Sequence, residues 1–176
     1  MGDRNFRELI EARWDLGTSI CVGLDSDSKK IPKVAVVGGA RETLTNFTCE
    51  IVAATHDLVA AYKPNIAFFE CHGDEGLAAL RDAIAYIHTV APKVPVILDA
   101  KRGDIGNTNN GYVQLAFEYL GADAITVHPY LGMESLQPFL ERGDKGIFVL
   151  CRTSNQSGRE FQNLLVHPAP DESQSW

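Results

Sequence analysis

The sequence lacks the features that would indicate a membrane protein or a nucleic-acid-binding protein. No apolar run within the 176 residues approaches the length of roughly 18 residues that a membrane helix needs. Acidic residues outnumber basic ones, with 23 Asp and Glu against 16 Lys and Arg. The net charge of -7 argues against nucleic acid or an anionic membrane as the main partner, since both favour a basic surface. A small anion would need a locally positive pocket.

Cysteine is scarce and shows no pairing pattern. The four cysteines are far apart and form no C-x-x-C pair: Cys21, Cys49, Cys71 and Cys151. We expect reduced thiols and a cytoplasmic protein, because disulfides are typical of oxidising compartments and the first residues lack the apolar core of a secretory signal. The adjacent Cys71 and His72 have no partner at metal-ligand spacing, so we interpret them as an ordinary loop pair.

About five short apolar runs alternate with amphipathic segments along the chain. The runs predict strands at residues 19–24, 59–63, 96–98, 124–127 and 147–150. Helices are predicted at residues 41–56 and 133–140, and two more are predicted between them. The first of these two has Leu77, Leu80, Ile84 and Ile87 on one face. The second carries Tyr112, Leu115 and Tyr119. In the helix at 41–56 the predicted apolar face consists of Leu44, Phe47, Ile51 and Ala54. Phe6 and Trp14 are expected to anchor an N-terminal helix.

The predicted strands are apolar throughout rather than at every second residue. This pattern is typical of parallel strands that are covered on both faces by helical crossovers, so the fold class is α/β. Periodicity alone does not distinguish an open doubly wound sheet from a barrel. No G-x-G-x-x-G follows the first strand to favour a dinucleotide-binding fold.

Polar or charged residues lie at the carboxyl end of nearly every predicted strand: Asp25, Lys63, Asp99 with Lys101, His128 and residues 152–155. In a barrel these ends converge on one mouth, where active sites are built. Taken singly, each is more often a solvated loop residue. His128 is interpreted as a packing residue, and Arg152 and Arg159 as surface or lid residues.

The densest polar group is the segment DAKRGDIGNT at residues 99–108. Asp99 and Lys101 are two residues apart, so their side chains leave the same face of an extended chain. Gly103 and Gly106 then allow sharp turns. A salt-bridged loop is the alternative for an isolated D-x-K-x-x-D pattern.

This segment resembles the signature of the orotidine 5′-monophosphate decarboxylase family. Four further segments share the resemblance: CVGLD, AYKPN, DAITVHPYLG and GIFVLCRTSN. The resemblance implies a (β/α)8 TIM barrel and decarboxylation of orotidine 5′-monophosphate, a small nucleotide, to uridine 5′-monophosphate. It implies no metal and no organic cofactor.

The resemblance also assigns roles to individual residues. Lys101 would be the proton donor within a charge network whose other members are Asp99, Asp104 and Lys63. Substrate-binding roles would fall to Asp25 and Lys63 at the ribose hydroxyls and to Ser154 at the pyrimidine ring. Asp104, Ile105 and Thr108 would reach into the site of a neighbouring subunit, which implies a homodimer.

Two alternatives stay open. The first is the magnesium-dependent branch of the superfamily, the sugar-phosphate decarboxylases and hexulose-phosphate synthases, which share D-x-K-x-x-D. That branch has a metal-binding glutamate where this chain has Lys63, a cation that would repel the metal; Glu70 lies seven residues on, and we predict that it falls in a loop.

The second alternative is an inactive fragment or assembly module. The family barrel has eight strands, whereas residues 1–176 predict a single partial barrel domain of about five strand-helix units followed by a polar tail at 171–176. Five strands would leave two unpaired edges and an open apolar face. The family's phosphate-binding loops would lie beyond the fifth unit, so full activity of this chain alone is not expected.

Overall fold

Helices and parallel strands alternate along the part of the chain that the computed structural model describes, residues 4–165. The strands are β1 (Ile20–Gly23), β2 (Val59–Lys63), β3 (Ile97–Arg102), β4 (Ala124–Val127) and β5 (Gly146–Val149). The helices are α1 (Phe6–Asp15), α2 (Ala40–Thr55), α3 (Ala67–Glu70), α4 (Gly73–Val90), α5 (Thr108–Val113), α6 (Met133–Leu140) and α7 (Arg159–Gln162). The predicted tail at residues 171–176 lies outside the described residues.

The strands follow one another in space in the order in which they occur in the chain. β1 pairs with β2, and β3, β4 and β5 form a three-stranded sheet in that order, with every pairing parallel. Two parallel bridges, Tyr62 with Val96 and Asn65 with Asp99, join the two sheets between β2 and β3. The predicted α/β class is therefore confirmed.

The core lies between the middle strands and the helices that cover them. β2, β4 and most of β3 are buried, together with Leu80, Ile84 and Ile87 of α4, as predicted from the helical spacing. In α2 the buried face is rotated from the predicted one. Thr48 and Val52 are buried whereas Ala54 is exposed. Burial of Thr48 is compatible with its polar hydroxyl because that hydroxyl lies 3.0 Å from the buried Ser26 hydroxyl.

The helix predicted around Tyr112 changes its pitch half-way. After α5 the chain continues as a π-helical segment, Gln114–Tyr119. A π-helix has more residues per turn than an α-helix, so the side chains rotate away from the 3.6-residue pattern. As a result Ala116 and Phe117 are buried, whereas Tyr119 is exposed.

The N-terminal helix α1 is held by a residue that the sequence pattern did not indicate. Phe6 packs edge-on against Phe148, with ring centres 5.7 Å apart, as its predicted anchoring role requires. Trp14 is 58% exposed, so its predicted anchoring role is wrong. Arg13 is buried instead, and its guanidinium donates to the carbonyl oxygens of Val59 at 2.7 Å and Asp57 at 3.1 Å.

The outermost strands leave the apolar interior of the curved sheet open. Ile20 and Cys21 of β1 and Phe148 and Val149 of β5 are exposed, unlike the buried residues of β2 and β4. A mostly apolar cavity of about 360 Å³ lies between them and α1. Within residues 4–165, β1 and β5 are thus the two free edges expected for a five-stranded partial barrel. In the same range, no helix combines the length and apolar character needed to cross a membrane.

Candidate active site

The carboxyl ends of the strands bring polar side chains from distant parts of the sequence to one face. Lys63 ends β2, while Asp99 and Lys101 lie within the last residues of β3. The sequence placed the motif after the third strand; β3 instead continues to Arg102 and so includes Asp99 and Lys101, whereas Asp104 follows the strand. Asp99 and Lys101 therefore lie on a strand rather than on a loop.

Asp99 is the centre of this cluster. Its side chain is largely buried, and it bridges two lysines, with Oδ1 2.7 Å from the ammonium of Lys101 and Oδ2 3.6 Å from that of Lys63. The hydroxyl of Thr126, on β4, donates a third contact to Oδ1 at 2.9 Å. One carboxylate thus contacts two lysine side chains, and the structure brings Asp99, Lys101 and Lys63 together in a single network.

The electrostatics of the cluster favour the ionised form of Asp99. Burial raises the pKa of Asp99, but the hydrogen bonds from Lys101 and Thr126 and the charges of Lys101 and Lys63 outweigh it. The pKa therefore lies below its ordinary value of 3.8. At neutral pH the cluster contains one carboxylate between two ammonium groups.

Lys101 has an unusual backbone and a side chain in contact with solvent. Its φ angle is +48°, in the left-handed region that non-glycine residues rarely adopt. Such conformations persist only where the surrounding structure imposes them. The side chain is 49% exposed, so its ammonium lies between Asp99 and the open face where a ligand would bind.

Asp104 is held apart from Lys101. Its Oδ1 accepts a hydrogen bond from the backbone N–H of Ile105 at 2.7 Å, and it forms no ion pair with the lysine within the described chain. The loop is fixed by Asn109, a fully buried side chain that accepts from the Asp104 N–H at 2.9 Å and donates to the carbonyls of Asp104 and Ser135.

The other predicted site residues are solvent-facing. Asp25 is exposed and lies two residues after Gly23, the residue of β1 that pairs with Lys63. Ile105 is 65% exposed, and Thr108 begins α5 at the surface. Ser154 is exposed in the segment after β5. These residues lie at the same ends of the strands as the Asp99 cluster, but the described chain shows no side-chain bond between them and that cluster.

Glu70 has a partner that the sequence did not suggest. Glu70 was predicted to lie in a loop, but it is the last residue of the short helix α3. It forms an ion pair with Arg102 at the end of β3. Arg102 also lies over the Tyr112 ring, 5.2 Å from its centre. The glutamate is therefore occupied by a structural cation.

The residues interpreted as non-catalytic make packing or hydrogen-bond contacts with neighbouring residues or are exposed at the surface. His128 donates its backbone N–H to Arg102 and packs on Gly103, where an added Cβ would lie 2.8 Å from the His128 ring. Cys71 directly follows α3, and its thiol lies 3.4 Å from the carbonyl oxygen of Phe68. Arg152 is exposed and donates to Asn163, and Arg159 is exposed at the start of α7.

Sequence reasoning missed Thr126 and Asn109. Thr126 was included in an apolar strand, although it is the one hydroxyl residue in Ala-Ile-Thr-Val. Asn109 directly follows the signature segment DAKRGDIGNT, and the spacing of the sequence does not distinguish it from the neighbouring Asn107 and Asn110. A polar side chain that interrupts a strand otherwise suited to burial is the signal that would have indicated Thr126, because buried polar groups need partners.

Parallel strands with covering helices, and a lysine–aspartate cluster at the carboxyl ends of those strands, define a protein of the α/β-barrel class. The profile of the orotidine 5′-phosphate decarboxylase / HUMPS family matches residues 18–175. The chain belongs to this family.

Named relatives agree with the family match. The chain is 50% identical over 149 residues to orotidine 5′-phosphate decarboxylase of Herpetosiphon aurantiacus, covering 85% of this chain and 54% of the relative. It is 48% identical over 166 residues to that of Cupriavidus necator, covering 94% and 60%. The solved OMP decarboxylase of Leishmania donovani is similar with a TM-score of 0.80 and 42% identity, covering 92% of this chain and 59% of that one. The barrel-family fold is confirmed, and the chain spans a little over half the length of these relatives.

Proposed function

We propose that this protein decarboxylates orotidine 5′-monophosphate to uridine 5′-monophosphate, with Lys101 as the proton donor. The observation that carries the proposal is the pairing of Lys101 and Lys63 with the single carboxylate of Asp99 at the carboxyl ends of β2 and β3. The names of the curated relatives support the same reaction.

The chemistry requires a fixed positive charge. Loss of CO2 from ring carbon six leaves an electron pair in the ring plane, where no adjacent group can delocalise it. At about 4 Å and an effective dielectric constant near 20, one ammonium stabilises such a charge by roughly 4 kcal/mol. Lys101 would then transfer one proton to carbon six and regain it from solvent. Asp99 orients the ammonium and, beside the departing carboxylate, would destabilise the bound ground state.

Substrate contacts follow from the positions of the remaining residues. We assign the ribose hydroxyls to Asp25 and Lys63, whose strands are paired at Gly23 and Lys63. Ser154, exposed after β5, is assigned to the pyrimidine ring. No metal or organic cofactor is needed, since the ammonium itself provides the stabilising charge. A cytoplasmic location stays a prediction from the sequence.

A homodimer would complete the charge network. Asp104 is held away from Lys101 of its own chain by Asn109, and Ile105 beside it is largely exposed. We infer that Asp104, Ile105 and Thr108 are inserted into the site of a second copy. Asp104 would there provide the second acidic neighbour of the partner's lysine.

Activity would also need barrel strands beyond the five described. The exposed β1 and β5 and the apolar cavity between them support completion by a further segment. Such a segment would bring the phosphate-binding loops, and we propose a single barrel domain of which residues 1–176 are the larger part.

The magnesium-dependent alternative finds less support in the site. The position that would need a metal-binding glutamate is Lys63, whose ammonium faces Asp99, and Glu70 is paired with Arg102. Turnover should therefore persist in EDTA. A requirement for Mg²⁺ would instead favour that branch.

The decisive experiment is a decarboxylation assay with orotidylate, run on this chain with and without the remaining C-terminal segment of the Cupriavidus necator relative. We expect turnover in the mixture. No turnover in either sample would favour the inactive-module alternative.

In the active mixture, Lys101→Ala should lower kcat by about 1,000-fold or more, because it removes both the charge and the proton donor. Lys93→Ala is the matched control, since Lys93 is exposed and precedes β3 at the opposite end of the sheet. Appreciable activity of Lys101→Ala would contradict the assignment.

A further inference from the structure

The strand that carries Asp99 and Lys101 is irregular at that very segment. Along β3 and β4, Leu98 pairs with Ile125, and the next pair is Arg102 with Val127. Four steps along β3 therefore match two steps along β4, so two residues of β3 are extra. The pairing of β4 with β5 stays regular through the same region. The irregularity thus belongs to β3 alone, which arches outward where the site lies.

An arch of this kind leaves backbone N–H groups without ladder partners. The N–H groups of Ala100 and Lys101 both donate to a single atom, the hydroxyl oxygen of Thr126, at 3.0 and 2.9 Å. The left-handed backbone of Lys101 lies in the same arch. The hydroxyl of Thr126 therefore replaces the missing ladder bonds and holds a conformation that is unfavourable for lysine.

The same hydroxyl stabilises the ionised form of the Asp99 carboxyl group. A hydroxyl has two acceptor positions and one hydrogen. With both acceptor positions occupied by N–H groups, its hydrogen is directed to Asp99 Oδ1 at 2.9 Å, the oxygen that also accepts from Lys101. Both bonds are stronger to an ionised carboxylate than to a neutral carboxyl group. Thr126 accordingly favours the charged form of Asp99.

We propose that Thr126 is a positioning residue: its hydroxyl fixes the arch of β3 and the ionised Asp99, and through both it fixes the ammonium of Lys101. Thr126 itself does not touch the reacting atoms. The inference rests on the function proposed above, because it assigns the geometry of the lysine to one side chain on the neighbouring strand.

The test compares Thr126→Val, which keeps the shape and removes the hydroxyl, with Thr126→Ser, which keeps the hydroxyl. In the active mixture we expect Thr126→Val to lower kcat about 10-fold or more with little change in KM, and to move the acidic limb of the pH profile to higher pH. Thr126→Ser should stay within about threefold of the wild type. Thr89→Val is the matched control, since Thr89 lies on α4 and its hydroxyl bonds only to its own helix.

Two measurements do not depend on turnover. In the full chain labelled with 13C-aspartate, the Asp99 carboxyl signal, assigned by its loss in Asp99→Asn, should titrate at higher pH in Thr126→Val than in the wild type. In the wild type alone, the amides of Ala100 and Lys101 should be protected from hydrogen exchange. The second measurement tests the bonds from these two amides to Thr126 even where Thr126→Val does not fold.

The proposal is overturned if Thr126→Val leaves kcat and the Asp99 titration unchanged, if Thr126→Ser is as impaired as Thr126→Val, or if the two amides exchange like unprotected ones. A wild-type mixture that does not decarboxylate orotidylate would instead remove the proposed function. The titration and the exchange would still decide the role of Thr126.

Discussion

Asp123 joins three segments of the chain at the end of the sheet opposite the candidate site. Its carboxylate is fully buried and accepts from Arg4 at 2.8 and 2.9 Å and from the backbone N–H of Val96 at 2.8 Å. His88 lies 3.6 Å away. Burial by itself raises the pKa of Asp123, but the neighbouring His88 and Arg4 outweigh it and lower the pKa to about 2.

The stability of the fold should depend on pH through the carboxylate of Asp123. Because the folded pKa of about 2 lies below the ordinary 3.8, the ionised carboxylate stabilises the fold above pH 4, and this contribution is lost as the pH falls from about 4 to 2. It is worth about 2 kcal/mol. Asp123→Asn should lower the free energy of unfolding by at least that amount at pH 7 and by much less at pH 2.5, as measured by urea titration.

Asp15→Asn is the matched control for this prediction, because Asp15 is exposed at the end of α1. It should change stability little at either pH. Equal destabilisation by Asp123→Asn at both pH values would show that the ionised form contributes nothing.

At the scale of the elements, the short helix α3 and the long helix α4 approach each other too closely for any side chain at Gly76. A Cβ built at this glycine of α4 would lie 1.8 Å from the carbonyl oxygen of Phe69 in α3. Gly111 of α5 has open space at the same point, with nothing within 4 Å. Two helical glycines therefore have opposite surroundings.

These surroundings predict opposite effects of one substitution. Gly76→Ala should destabilise the fold by about 1–3 kcal/mol, because α3 must move away from α4. Gly111→Ala should stabilise it by about 0.5–1 kcal/mol, since alanine loses less backbone entropy in a helix. Thermal unfolding of the two variants beside the wild type measures both effects. A Gly76→Ala protein as stable as the wild type would contradict the close packing of α3 on α4.

At the scale of the whole molecule, the proposed dimer should depend on the loop that carries Asp104. Ile105→Glu places a charge where an exposed apolar side chain would be buried by the second copy. We expect the dimer dissociation constant to rise about 10-fold or more in sedimentation experiments, with the fold unchanged. Val34→Glu is the control, because Val34 is also exposed and lies in a short 3-10 helix, Lys33–Ala35, between β1 and α2. A monomeric wild type would contradict the dimer.

The strands were predictable because each is a short apolar run bounded by polar residues; β2 and β4 were predicted to the residue, and β1 and β5 to within one residue at each end. The face of α4 followed from its regular spacing. The π-helical segment after α5 and the exposure of Trp14 were not predictable. Both depend on what packs against the helix rather than on the spacing of its own residues.

The sequence by itself determined the order of strands and helices and the residues DAKRGDIGNT, since apolar periodicity and a short motif are both local properties of the chain. The tertiary structure decided which of those residues meet. It placed Lys63 and Thr126 on Asp99 and kept Asp104 apart from Lys101. The reason is physical: contacts between residues tens of positions apart depend on strand register and on the arch in β3, which arise only when neighbouring strands pair.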